Sequence, residues 1–290
     1  MIADELTRIH PGLRVELIIV RTSGDQVQDK PLADIGGKGL FTKELEQALL
    51  EKRVDFAVHS YKDVPVTMPL VDQSDLIIAA IPKREDPRDA LVSEKAQKLA
   101  ALPRDARIGT GSFRRRAQLL ELRPDLRIEG IRGNVDTRIR KMREGEFDAV
   151  ILAVAGLKRC GLFDPSIMTS LTDLVPAAAQ GALAIQCRKH DTPTRSMLES
   201  LNDPASRLAV DCERAVVQAL NGDCHSPIAA LATIENQTLH LRVAVGARDG
   251  NPPVIRAEAS VPAAESQQAL KKIMTGLNAQ GVHKLLHSQG

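Results

Sequence analysis

The chain has 290 residues, 43% hydrophobic and 26% charged, and its 39 Lys and Arg against 37 Asp and Glu leave a net charge of +2 at pH 7. Those values fit a folded chain of two or three domains, exclude a disordered or collagen-like one, and withhold the strong positive field of a nucleic-acid binder. With no Trp, one Tyr and five Phe, the core is aliphatic and there are few rings on which bases could stack.

In chain order, Leu13 to Val20 reads as a strand, Gly39 to Leu50 as a helix through Leu40, Phe41, Leu45 and Leu49, and Val54 to Val58 and Leu76 to Ile81 as two further strands. The charged, proline-containing stretch Lys83 to Arg88 interrupts this pattern as a linker would. The order then repeats: a strand at Ile108, a helix from Ser112, a strand Leu126 to Ile131, a helix from Asn134 with Val135, Ile139 and Met142 on one face, and a strand Asp148 to Val154. Such alternation predicts α/β units with helices on both faces of a largely parallel sheet, admitting one or two antiparallel strands. A small-residue segment, Ala177 to Ala182, leads to a short strand Leu183 to Gln186, and Asp203-Pro204 starts a helix that runs to about Leu220. Beyond it Ile228 to Ile234 and Thr238 to Val245 alternate as strands, Asp249-Gly250 is a hairpin-type turn, and Ser266 to Leu277 is an amphipathic helix. The third unit is therefore α+β with an antiparallel sheet. The expected boundaries are 1–80 with 178–200, 81–177 and 201–290.

The longest apolar run, Ala149 to Leu157, stops at Lys158, well short of the roughly 20 residues of a spanning helix. Met1-Ile2 runs straight into Asp4, Glu5 and Arg8, without the basic and apolar regions of a secretory signal. No membrane association and a cytoplasmic location are expected. Cys160, Cys187, Cys212 and Cys224 are irregularly spaced with no Cys-x-x-Cys pair, so each is expected to be a free thiol. Cys224 is the cysteine on a predicted loop, beside His225, where a reactive thiolate or a covalent tether is possible; the other three fall in predicted regular elements and read as small hydrophobes.

Guanidinium groups gather in the second unit. Arg114, Arg115 and Arg116 open one helix, and Arg132, Arg138, Arg140 and Arg143 surround the next. Arginines beside helix N-termini combine bidentate donors with the positive end of the dipole and suit carboxylates or phosphates; a solvated basic helix face has about equal weight on spacing alone. His59-Ser60-Tyr61-Lys62-Asp63-Val64-Pro65 follows a strand at the carboxyl end where open α/β sheets bind ligands. There Asp63 could protonate a leaving group or stabilise a cation, or be half of a surface Lys-Asp pair. Gly36-Gly37-Lys38-Gly39 lacks the glycine spacing of a phosphate-binding loop and suits a mobile loop with Lys38 open to an anion. His283 and His287 stand four apart without the glutamate of a zinc helix, and no metal is expected.

These residues fall into long motifs: Gly36-Gly37-Lys38-Gly39-Leu40-Phe41, His59 to Pro65, Arg84-Glu85-Asp86-Pro87-Arg88-Asp89-Ala90, Arg132-Gly133-Asn134-Val135, Leu152 to Leu157, Gln180-Gly181-Ala182 and Gly222-Asp223-Cys224. In this order the chain resembles the porphobilinogen deaminase (hydroxymethylbilane synthase) family through nearly its whole length. The resemblance implies three domains, the first two like periplasmic binding proteins with a cleft between them, and an enzyme that joins four porphobilinogen molecules head to tail, releasing ammonia and then hydroxymethylbilane. It implies one dipyrromethane cofactor bound through a thioether to Cys224, with Lys62, Asp63, Ser112, Arg114, Arg115, Arg132 and Gly133 around it. Asp63 would be catalytic, and Lys38, Ser60, Arg132, Arg138, Arg159 and Gln180 would meet substrate. The partner is then small-molecule porphobilinogen, and the protein a monomer without nucleic acid.

Two departures accompany the resemblance. Family members usually begin with a strand and helix carrying Arg-x-Ser-x-Leu-Ala, whereas the sequence given starts at Met1-Ile2-Ala3-Asp4-Glu5, inside that helix. One strand and a substrate-binding arginine and serine are expected to be missing, and a shortened, inactive deaminase is a competing reading. Ala179 stands where a glycine is common. A non-catalytic two-lobed binder of a small polyanion is the other alternative, with loading of Cys224 separating it from an enzyme.

Overall fold

The computed structural model describes residues 1–22, 39, 42–66, 75–223 and 226–287. Lys38 and Cys224, both expected at the site, lie outside the described residues. From the amino end come α1 (Ile2–Ile9), α2 (Lys43–Leu50), β1 (Phe56–Ser60) and β2 (Leu76–Ala80). There follow β3 (Asp89–Val92), β4 (Arg107–Gly109), α3 (Phe113–Leu122), β5 (Arg127–Glu129), α4 (Val135–Arg143), β6 (Ala149–Ala153), α5 (Val154–Arg159) and β7 (Met168–Leu171). The remainder is β8 (Leu183–Arg188), α6 (Thr192–Glu199), α7 (Pro204–Ala219), β9 (Ile228–Glu235), β10 (Thr238–Val245), β11 (Ile255–Pro262), α8 (Ser266–Ala279) and α9 (Val282–His287). The chain divides into two compact units, Met1–Arg84 with Ala182–Leu208 and Glu85–Gly181 with Ala209–Gly290.

In the first unit β8 lies between β1 and β2 and pairs antiparallel with both. Because successive side chains on a strand point to opposite faces, Ile185 and Cys187 join Leu6 of α1 and Leu198 of α6 in one core, while Ala57 and Leu76 meet Leu49 of α2 in another. The second unit holds a sheet ordered β5-β4-β6-β3-β7. Ala149 to Leu152 of β6 is an unbroken apolar run whose alternate residues feed both faces: Val150 and Leu152 pack with Ile139 and Met142 of α4, and Ala149 and Ile151 with Leu119 of α3. Helices on both faces are what such a run requires. The same unit carries the antiparallel sheet β11-β10-β9, covered by α8 against β10 and β11 through buried Ala269, Ile273 and Leu277.

The fold class is thus α/β with a carboxyl-terminal antiparallel sheet, and several local expectations need correction. Leu13 to Val20 forms no strand. Its apolar, β-branched composition suits a sheet, but none of the described strands pairs with it, and Leu17 and Ile19 are 80% and 91% exposed. Among the described residues parallel pairing is confined to β5-β4-β6; β3, β7 and β8 make antiparallel ladders. The helix expected from Gly39 starts at Lys43, with Thr42 at its N-cap. Val154 opens α5 instead of ending β6. Cys160 lies just past α5 and is exposed, not a core residue.

The passage from Glu85 to Asp89 runs beside the segment before β8. Glu85 N–H donates to Gly181 O at 3.1 Å. Gly181 has φ +84°, and a Cβ there would sit 2.4 Å from the Glu85 carbonyl oxygen, so a side chain meets both a left-handed backbone and a rigid wall. Gly181→Ala is therefore expected to lower the unfolding free energy by about 1–3 kcal/mol, seen as a lower urea midpoint at unchanged slope.

Candidate active site

The parallel run β5-β4-β6 places three carboxyl ends on one edge of the second unit's sheet, and α3 and α4 start from that edge. Since β3 runs antiparallel to β6, its first residue, Asp89, pairs with Ala153 at the end of β6 and so arrives at the same edge. Ser112 caps α3, its hydroxyl accepting from Arg115 N–H at 3.4 Å. The first turn of α3 then brings Arg114 and Arg115 to Asp89.

Asp89 is 0% exposed, Arg114 5% and Arg115 7%. Arg114 donates from Nη1 to Asp89 Oδ2 at 2.8 Å and to Val175 O at 2.9 Å. Arg115 donates to Asp89 Oδ1 from Nη2 at 2.7 Å and from Nε at 3.1 Å, and to Ile151 O from Nη1 at 2.9 Å. Gln180 Nε2 donates to the same Oδ1 at 2.8 Å and to Pro87 O at 2.7 Å. Burial by itself raises the Asp89 pKa, but the charges and hydrogen bonds of the two arginines outweigh it and hold the carboxyl far below its ordinary range. Burial also pushes the Arg114 guanidinium down, against the pull of Asp89. The segment before Gln180 is held in turn by Glu213 of α7, fully buried, which accepts from Ala179 N–H at 2.6 Å and from Ala232 N–H of β9 at 2.7 Å. Ala179 has φ +60°, a conformation glycine adopts more cheaply.

Arg132 and Gly133 follow β5 at the same edge. Gly133 has φ +108°, and its carbonyl accepts from Arg138 Nε at 2.7 Å, so the turn fixes that guanidinium. Arg159, at the end of α5, donates from Nη2 to Gly181 O at 2.7 Å, and burial lowers its pKa. Among the described residues its buried Nε has no hydrogen-bond acceptor. The other arginines of the cluster are engaged elsewhere: Arg116 with Asn251 and Ile128 O, Arg140 with Glu144, and Arg143 with Glu94.

In the first unit β1 ends at Ser60 and passes into a 3-10 turn, Tyr61–Asp63. Tyr61 is buried and its N–H donates to Ala182 O at 3.0 Å, while Val64 N–H closes the turn on Tyr61 O at 3.2 Å. Ser60 and Asp63 are left exposed and Lys62 half-buried. Behind this turn Gln186 Nε2 of β8 donates to Glu46 Oε1 of α2 at 3.0 Å, which leaves its oxygen facing His59 Nε2 at 3.0 Å. His59 therefore donates from Nε2, and burial lowers its pKa against the opposing effects of Gln186 and Glu46. Asp89, Glu213 and this Glu46-Gln186-His59 chain were not singled out from the sequence; Asp89 and His59 lie inside two of the quoted motifs.

The buried Cys187 thiol is pushed up to about 11 by burial, and burial likewise raises that of Cys212. Among the described residues no His, Cys, Asp and Glu cluster could hold a metal, and no helix is long and apolar enough to cross a membrane.

Residues 1–196 match the family description "Porphobilinogen deaminase, dipyromethane cofactor binding domain", and residues 207–278 match "Porphobilinogen deaminase, C-terminal domain". The porphobilinogen deaminase of Syntrophotalea carbinolica is 44% identical over 286 residues, covering 98% of this chain and 89% of the relative. That of Roseiflexus sp. is 48% identical over 252 residues, 86% of this chain and 82% of the relative. The VFT2 periplasmic domain of Bordetella pertussis BvgS is 15% identical with a TM-score of 0.37, over 68% of this chain and 73% of that one; that likeness carries no conclusion.

The buried His59 gives a pH signature. Its folded pKa lies below the ordinary 6.5, so the unfolded chain binds the extra proton and stability rises with pH. The contribution is complete above about 6.5 and is lost as pH falls toward the folded value. Urea midpoints measured from pH 7.5 down to 5.5 are expected to fall, and to fall less in His59→Gln.

Proposed function

The chain belongs to the porphobilinogen deaminase family, and on that footing we propose that it joins four porphobilinogen molecules head to tail into hydroxymethylbilane, as a transferase of tetrapyrrole biosynthesis. The observation that carries this reading is 44% identity sustained over 98% of the chain. The donor set suits a dipyrromethane bearing carboxylates: guanidinium groups pair with carboxylates bidentately, they lie at one sheet edge with the start of α3, and the buried Arg159 Nε still lacks an acceptor. Attachment is assigned to the Cys224 thiol. When bound, this cofactor would supply the free pyrrole carbon to which the first unit is joined.

Asp63 acts on the incoming porphobilinogen. The aminomethyl nitrogen of porphobilinogen leaves from its protonated, ammonium form: the C–N bond breaks with the electron pair going to nitrogen as ammonia, and the positive charge passes to the methylene and spreads over the pyrrole ring. A carboxylate accepting from the ring N–H stabilises that cation as it develops, and the exposed turn at Tyr61–Asp63 presents such a carboxylate. A carbon–carbon bond then forms to the growing chain, whose attacked carbon loses its proton. Arg114, Arg115, Arg132 and Ser112, with Gly133 turning the chain, would hold cofactor carboxylates, and Lys62 would also bind the cofactor. Lys38, Ser60, Arg138, Arg159 and Gln180 would meet substrate. The same reading makes the protein a cytoplasmic monomer acting on small molecules alone.

Intact mass of the denatured chain tests the attachment. An excess of two porphobilinogen units less two ammonias is expected, and it should vanish in Cys224→Ser; an unmodified parent chain would remove the assignment. Asp63→Asn should keep the excess while kcat falls roughly 10²-fold or more, measured as porphobilinogen consumption.

A further inference from the structure

Asp89 is assigned no part in the reading above, yet it lies at the centre of the arginine edge. We infer that Asp89 is a positioning residue that sets the Arg114 and Arg115 guanidinium groups in place, half neutralised, before any carboxylate ligand reaches them. The inference rests on the reading that these arginines receive carboxylates.

Three observations carry it. Each guanidinium is held twice, by Asp89 and by a backbone carbonyl from another part of the chain, Val175 for Arg114 and Ile151 for Arg115, so its plane is fixed without a ligand. Of five N–H donors on an arginine, these contacts engage three on each, counting the 3.4 Å bond from Arg114 Nη2 to Asp89 Oδ1. Donors therefore remain for a further acceptor. Finally, two buried guanidinium groups share one buried carboxylate, which leaves a positive charge out of water. A purely structural ion pair gains nothing from that surplus, whereas a carboxylate-binding site needs it. Gln180 supports the same geometry by giving Asp89 Oδ1 a donor from the opposite side of the chain passage. Donors fixed in advance bind an anion without the cost of ordering long side chains.

The test compares full chains as purified. Asp89→Asn keeps the size of the side chain but turns one acceptor into a donor and removes the charge; Arg114→Gln removes one guanidinium; Met168→Ala, in the core on the other side of β3, controls for lost stability alone. The readouts are the melting temperature and the fraction of folded chain carrying the two-pyrrole mass increment. Folded Asp89→Asn is expected to carry less than about a tenth of the parent's increment, with Met168→Ala loaded like the parent at a comparable fall in melting temperature. A folded Asp89→Asn loaded like the parent, beside an unloaded Arg114→Gln, would overturn the role of Asp89 alone; if Arg114→Gln is also fully loaded, the arginine reading itself is wrong. Should Asp89→Asn not fold, arginine side-chain NMR of the unloaded Cys224→Ser chain decides. Separate, slowly rotating guanidinium signals for Arg114 and Arg115 are expected there, and signals averaged as in free arginine would refute the preset arrangement.

Discussion

Taking two guanidinium groups out of water is among the most costly placements a fold can make, and in the second unit it governs what surrounds it. Asp89 reaches the edge where α3 begins as the first residue of β3, because β3 runs antiparallel to β6 and pairs Asp89 with Ala153. Ile151 and Val175 have to present carbonyls there, and Gln118 fixes Val175 by donating to its oxygen and accepting from its nitrogen. Gln180 and Glu213 then hold the passage that approaches Asp89 from the other side. The aliphatic cores on the two faces of the sheet supply the stability, while this polar centre specifies how the edges are aligned.

The first unit solves a related problem without a buried cation cluster. A histidine, an amide and a carboxylate run in series from β1 through β8 to α2. Each member has its direction fixed by the next, since the amide can donate only from nitrogen and accept only at oxygen. The turn bearing Asp63 follows His59 by a few residues, so a rigid interior chain stands directly behind an exposed functional group. Burial of His59 and exposure of Ser60 follow from the alternation of β1, and the 3-10 turn after it leaves Asp63 exposed.

Legibility in the sequence followed the physics of each element. β6, β9 and β10 were readable from apolar runs and alternation, and α3 and α4 from their caps and faces, because a local pattern suffices for them. β3 was missed since Asp89 to Val92 is four residues long and follows a charged linker; its identity as a strand comes from β6 and β7 on either side. Leu13 to Val20 was misread for the converse reason: composition favours a strand, and pairing decides it. Among the arginines, spacing alone could not separate Arg114 and Arg115 from Arg140 and Arg143; only the resemblance did. The distinction lies in partners, one buried carboxylate shared by the first pair and separate exposed glutamates for the second. The motifs conveyed the family without revealing why Asp89 belongs to one of them.

The two chain passages near Gly181 are joined at more than one point. Glu85 N–H meets Gly181 O, and the Gln180 amide spans Pro87 O and the Asp89 carboxylate. Such double attachment sets a register between segments nearly a hundred residues apart in sequence. Adding or deleting a residue in either passage would displace Gln180 from Asp89 and Gly181 from Glu85 together. Length variation in descendants of this chain must therefore fall on outer loops, and the spacing from Glu85 to Asp89 and from Gln180 to Gly181 is as constrained as any side chain within it.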